Sequence, residues 1–158
     1  MTMPQRIAAA RAFWSADDAL DDQVQAALLI AQQKKFRAKT VISLDLDRKA
    51  RHLASLVTLP DALSARVVVL YHLTDQRPMM AKFLDALGIA HEDGLIQEDS
   101  VVPDSAKLGP AVEALARECP PDDVRLYLNT LLCQDPETWG GLSTILDNFE
   151  LQSLKSQV

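Results

Sequence analysis

Apolar residues in this chain recur every three or four positions over most of its length, the spacing that lines one face of a helix. Leu20, Val24, Ala27, Leu28 and Ala31 share such a face, and Asp17 or Asp18 can cap the helix that carries it. Asp21 and Asp22 near its start and Lys34 and Lys35 near its end suit the helix dipole. Leu46, Ala50, Leu53, Ala54 and Val57 repeat the pattern behind a cap at Asp45 or Asp47. Asp61 starts a helix through the valine-rich stretch ARVVVLYHL. There Leu63, Val67, Leu70 and Tyr71 keep the helical period, while Val68 and Val69 make the element apolar nearly all round, as suits a central helix. Pro78 opens a helix with Met79, Met80, Phe83, Leu84 and Leu87. Gly109 and Pro110 open another, with Val112, Leu115 and Cys119; the stretch CPPDD closes it and caps the next, which carries Val124, Tyr127, Leu128 and Leu131. Asp135-Pro136 repeats the cap and proline start, Gly140-Gly141 breaks that turn, and Leu142, Ile145, Leu146 and Phe149 form a last stripe.

Two stretches admit a strand. Ile42, Leu44 and Leu46 alternate with polar neighbours, and residues 66–71 hold three valines. Two such strands would make a βαβ unit. Nothing beyond residue 101 supplies further strands to complete a sheet, so a central helix is the better account of residues 66–71, while the stretch from Val41 reads as an extended approach to the cap at Asp45 or Asp47. The pattern predicts an all-α fold, a compact array of six or seven short helices joined by tight, proline-marked turns. An α/β fold with strands near 41–46 and 66–71 is the alternative. Residues 1–16 read as an N-terminal arm that becomes helical on packing, residues 17–154 as a single helical domain, and residues 155–158 as a frayed tail.

The stretch FLDALGIAHEDGLIQED holds the clearest local signals. Gly88 in a left-handed conformation would stop the helix with Leu84 touching Ile89, a Schellman arrangement. Asp93-Gly94 is a turn signal that returns Leu95 and Ile96 to the core. Between them His91, Glu92 and Asp93 stand at an exposed apex. An imidazole beside carboxylates can ligate a metal or move protons, and His72 is a second histidine that could join it. His91, Glu92, Asp93 and His72 are therefore the candidate binding residues. The chain has no HExxH, no helical ExxH pair and no D-x-D-x-D-G loop, so no metal, cofactor or catalytic residue is assigned. Phosphate cradles and nucleophile elbows lack their motifs too. His72, on a largely buried helix, also reads as a hydrogen-bonded core polar group, and His52 reads as exposed. Asp45 and Asp47 in SLDLD would need a parallel sheet to act in phosphoryl transfer; capping explains them better.

Composition narrows the function classes. At 158 residues, 48% hydrophobic and 24% charged, the chain has the make-up of one soluble globular domain or two small ones. Five glycines and 5% aromatics favour helix over an all-β design. A net charge of -6 and a pI near 5.0 weigh against a general nucleic-acid binder. Yet seven of the 16 basic residues fall together: Lys34, Lys35, Arg37, Lys39, Arg48, Lys49 and Arg51. Between Glu92 and Glu150, 13 acids face only Lys107, Arg117 and Arg125. This split reads as internal attraction or as a partner surface.

Cys119 and Cys133 form no CxxC pair and fit reduced thiols in the cytoplasm. The opening MTMPQRIAAARAFWS is not a signal peptide, and no stretch approaches the roughly 20 apolar residues of a membrane span. The expected function is a non-catalytic helical module that binds another protein or a second copy of itself as a homodimer. The missing catalytic motifs, the split charge and Met79, Met80, Trp14 and Trp139, residue types common at adaptable surfaces but as readily used to fill a core, motivate it. A metal-dependent or acid–base enzyme using His91 and His72 is one alternative. Phosphate or nucleic-acid contact through the basic run at residues 34–51, with Phe36 among the cations, is the other.

Overall fold

The computed structural model describes residues 1–97 and 101–155, with side chains through residue 148. Residues 156–158 of the expected tail and the Phe149 side chain lie outside the described residues. The fold is all-α, with ten α-helices and one two-stranded hairpin among the described residues. The chain gathers into two compact units, Met1–Asp75 and Gln76–Val158.

The first unit holds α1 (Met3–Ser15), a 3-10 turn (Asp17–Ala19), α2 (Leu20–Lys34), α3 (Ala38–Ser43), α4 (Leu46–Ala54) and α5 (Asp61–Asp75). The stretch expected as an arm is a helix with a capping box: the Thr2 hydroxyl accepts from Gln5 N–H, and the Gln5 side chain accepts from Thr2 N–H. It packs chiefly on α4 and α5. Buried Ala9, Ala10 and Ala12 let backbones approach, and Phe13 and Trp14 fill the remaining space with rings 5.4 Å apart. Arg6 donates to Leu56 O at 2.7 Å, and Arg11 pairs with Asp47.

Neither candidate stretch is a strand, and the extended approach expected from Val41 is instead helical as far as Ser43. The Asp45 carboxylate accepts from Arg48 N–H at 2.8 Å and caps α4, so residues 41–46 are the end of one helix and the start of another. The valines lie in α5, whose Leu63, Val67, Leu70, Tyr71 and His72 are buried. The helix count exceeds six or seven because the expected arm is itself the helix α1 and because α3 and α9 are too short to carry a visible period.

The second unit holds α6 (Arg77–Leu87), β1 (His91–Glu92), β2 (Leu95–Ile96), α7 (Ser105–Glu118), α8 (Pro121–Gln134), α9 (Pro136–Trp139) and α10 (Leu142–Lys155). Phe83, Leu84, Val112, Val124, Leu128 and Leu142 are its most deeply buried side chains. The Phe83 ring stands edge-on to Tyr127 at 5.7 Å. Lys82 and Glu118 tie α6 to α7 at 2.7 Å. The helix with Pro110 starts one turn before Gly109, because the Asp104 side chain caps it at Ala106 N–H. Of the two readings of Met79, Met80, Trp14 and Trp139, core filling holds: all four are buried, Trp14 in the first unit and the others in the second.

Candidate functional site

The hairpin is built from the α6 stop outwards. Gly88 sits at φ 71, Gly88 N–H donates to Asp85 O and Ile89 N–H to Leu84 O, both at 3.0 Å. These are the two bonds of a Schellman motif. Leu84 is fully buried, and Ile89 packs against the same core. The chain then reverses through Asp93 at φ 50 and Gly94 at φ 82, both left-handed, as a two-residue type I′ hairpin turn requires. His91 pairs with Ile96 and Glu92 with Leu95.

Gly94 N–H donates to His91 Nδ1 at 3.2 Å, and His91 Nε2 lies 3.0 Å from Asp85 Oδ1. Since Nδ1 must accept, the inferred tautomer carries its proton on Nε2 and donates it to the carboxylate. The His91 side chain is only 13% exposed, so it lies under the hairpin and not at an exposed apex. A metal ligand or general base needs a lone pair to offer, and here Nδ1 spends its own on Gly94. Asp93 accepts from Arg77 at 3.1 Å, and Glu92 faces solvent. The triplet is thus divided: His91 and Asp93 tie the hairpin back to α6, and Glu92 alone points outward.

His72 belongs to the first unit and is 4% exposed, its ring 5.7 Å from that of Tyr71. His52 is half-buried, edge-on to Phe36 at 5.3 Å. Among the described residues no group of three or more His, Cys, Asp or Glu side chains converges as a metal site would need. Burial pushes the Tyr127 phenol above its ordinary range and keeps it protonated.

The basic run is drawn partly inward. Arg48 pairs with Asp45 at 3.4 Å, and the Lys49 ammonium lies 5.1 Å from the Trp14 ring centre. Lys34, Lys35, Arg37, Lys39 and Arg51 are exposed and take no carboxylate partner among the described residues. A cavity of about 370 Å³ also opens on the first unit, between α1, α4 and α5. Its lining is apolar except for Arg6 and Ser64, and Arg6 is already turned to Leu56 O. It holds no acid–base pair.

The least expected surface is on α2. Its buried side is Ala26, Ala27, Ile30 and Ala31, while Leu20, Val24 and Leu28 are 66%, 50% and 55% exposed. The helix is rotated from the orientation its bulkier residues predict. Gln23 sets the rotation by donating to Phe13 O at 2.9 Å and Ala16 O at 2.8 Å, at the open end of α1. Arg66 of α5 holds Asp18 at 2.8 Å and Asp22 at 3.6 Å and fixes the same orientation. Ala26, Ala27, Ile30 and Ala31 thus take the inner side, and a stripe of large apolar residues is left facing water. Helical positions four apart differ by about 40°, so the three form one continuous strip. Phe36 and Ile42, 42% and 54% exposed, follow in the next turn and helix.

No helix among the described residues is long and apolar enough to cross a membrane. No protein-family model, no curated protein and no solved structure matches this chain.

Proposed function

We propose that this protein is a helical interaction module that works by binding another protein chain and not by catalysis. The observation that carries the reading is the strip of Leu20, Val24 and Leu28 on the outside of α2. Single exposed apolar residues are ordinary, but three on one helix face form a contiguous patch of the kind that partners cover. The polar bonds of Gln23 and the ion pairs of Arg66 support it, because they hold the strip outward by specific contacts. His91 and His72 support it by their engagement: the first closes a hairpin and the second is packed in a helical core. A cytoplasmic setting completes the proposal, since a reducing compartment would keep the exposed Cys133 thiol free.

The test compares the wild-type chain with a Leu20→Asp/Leu28→Asp variant as bait in a cell extract and in light scattering. The proposal expects the wild type to retain a partner or to scatter above one chain's mass, and the variant to lose both. A wild type that retains nothing and scatters as a single chain rejects it.

A further inference from the structure

The outer side of α2 is charged at both ends, with opposite signs. Asp21 stands in its first turn and Asp17 in the 3-10 turn just before it, with Lys35 as the cap at its other end, all exposed. None of the three has an ion-pair partner among the described residues, whereas Asp18 and Asp22 are held by Arg66. Between these ends lie Leu20, Val24 and Leu28.

A strip that is acidic at one end, apolar in the middle and basic at the other is complementary to itself reversed. From this we infer that α2 is the contact helix of a two-fold homodimer, lying antiparallel on α2 of a second copy. The inference rests on the interaction reading above and names its occupant. With the two-fold axis midway between Val24 and Leu28, Val24 meets the partner's Leu28, and Leu20 meets the partner's Gln32. Asp17 then meets the partner's Lys35. The symmetry makes every contact twice, as an isologous interface requires. Parallel pairing would set Asp17 on Asp17 and Lys35 on Lys35, like charge on like. A ligand surface of uniform sign would be repelled at one end of the strip, and this argues for a second copy over a uniformly acidic or basic partner.

A seam of about four helical turns is smaller than the roughly 1,200 Å² at which stable interfaces begin, so the dimer is concentration-dependent and exchanges readily. Helix ends also make the charge pairs solvent-accessible, so association weakens as salt rises.

Sedimentation velocity on the full chain, from about micromolar to about millimolar, tests this against the weak-affinity range. The wild type should pass from one-chain to two-chain mass as concentration rises, at a lower concentration in low salt than in high. Leu28→Asp should stay at one-chain mass throughout. Asp17→Lys and Lys35→Asp should each weaken association about tenfold, since each turns two attractions into two repulsions. The double variant should recover wild-type association. A wild type that stays monomeric throughout overturns the dimer. Loss in Leu28→Asp without recovery in the double charge variant overturns the antiparallel arrangement.

Urea unfolding of dilute Leu28→Asp separates the two levels of the argument. An unchanged midpoint leaves the strip an open surface, so that a monomeric wild type would then sink the dimer alone. A fall as large as a core substitution causes would place Leu28 inside the chain and overturn both the dimer and the interaction reading.

Discussion

Gly88 and Gly94 both hold a left-handed backbone, yet their surroundings differ. A Cβ on Gly88 would meet only the mobile Lys107 ammonium, at 3.9 Å. A Cβ on Gly94 would lie 2.8 Å from Arg77 O and 2.9 Å from Met80 Cβ, because the turn presses on the first turn of α6. Gly88→Ala should therefore cost about 1 kcal/mol, the left-handed penalty alone. Gly94→Ala adds steric overlap with rigid backbone and should cost about 3 kcal/mol or more. His91→Ala removes two hydrogen bonds and should fall between them, at about 2 kcal/mol. Urea midpoints for the three variants check the order. At this scale the glycine stop and the Asp-Gly turn are legible from residue types alone, because only special residues tolerate those backbone angles. The inward turn of His91 is not. It depends on where Gly94 N–H points once both turn residues are left-handed, and no spacing rule carries that.

Helices were legible where capping and proline chemistry agreed with periodicity. Asp45, Pro78, Pro121 and Asp135-Pro136 all mark real helix starts. Helix rotation was less legible. In α2 two apolar faces overlap, and side-chain size favours Leu20, Val24 and Leu28 for the core. The alanine face is the buried one because Gln23 and Arg66 hold it there. In α1 the capping box of Thr2 and Gln5 was a readable signal, and it separates a true helix from a loose arm.

Caps also predict acid behaviour. The Asp135 carboxyl is held below its ordinary value of 3.8, first by the hydrogen bond with the Thr138 side chain and then by Thr138 N–H. A carboxyl lowered by folding contributes stability that is fully present above that ordinary value and is lost as pH falls through the lowered one. Asp135→Asn keeps a capping oxygen but removes the titration. It should flatten the acid limb of the stability–pH curve below pH ~4 and leave the neutral region nearly unchanged, as urea unfolding across that range would record.

For the whole molecule, the division into two units is also a division of charge. Met1–Asp75 carries ten Lys and Arg against eight Asp and Glu; Gln76–Val158 carries six against fourteen. The second unit therefore carries -8 and the first +2, which sum to the net charge of -6, and the basic run lies on the mildly positive unit. This matters for the proposed dimer, since the α2 strip lies on the unit with little net charge to repel a second copy. Charge and motif absence alone could not tell an internal attraction from a partner surface; the ion pairs of Asp18, Asp22, Asp45 and Asp47 show which acids are spent within the first unit.

The return of the Gly94 turn onto Arg77 and Met80 has a consequence in time. It closes a loop of fewer than twenty residues, and closing so short a loop sacrifices little chain entropy. Helix α6 and its hairpin can thus form before the distant strands of sequence around α8 and α10 arrive. In folding kinetics, Leu84→Ala and Ile89→Val should slow refolding with φ near one, while Leu142→Ala should chiefly speed unfolding. The reverse pattern would place the nucleus among α8 and α10. A segment that looks from its polar triplet like a place for chemistry would then serve as the seed around which the second unit assembles.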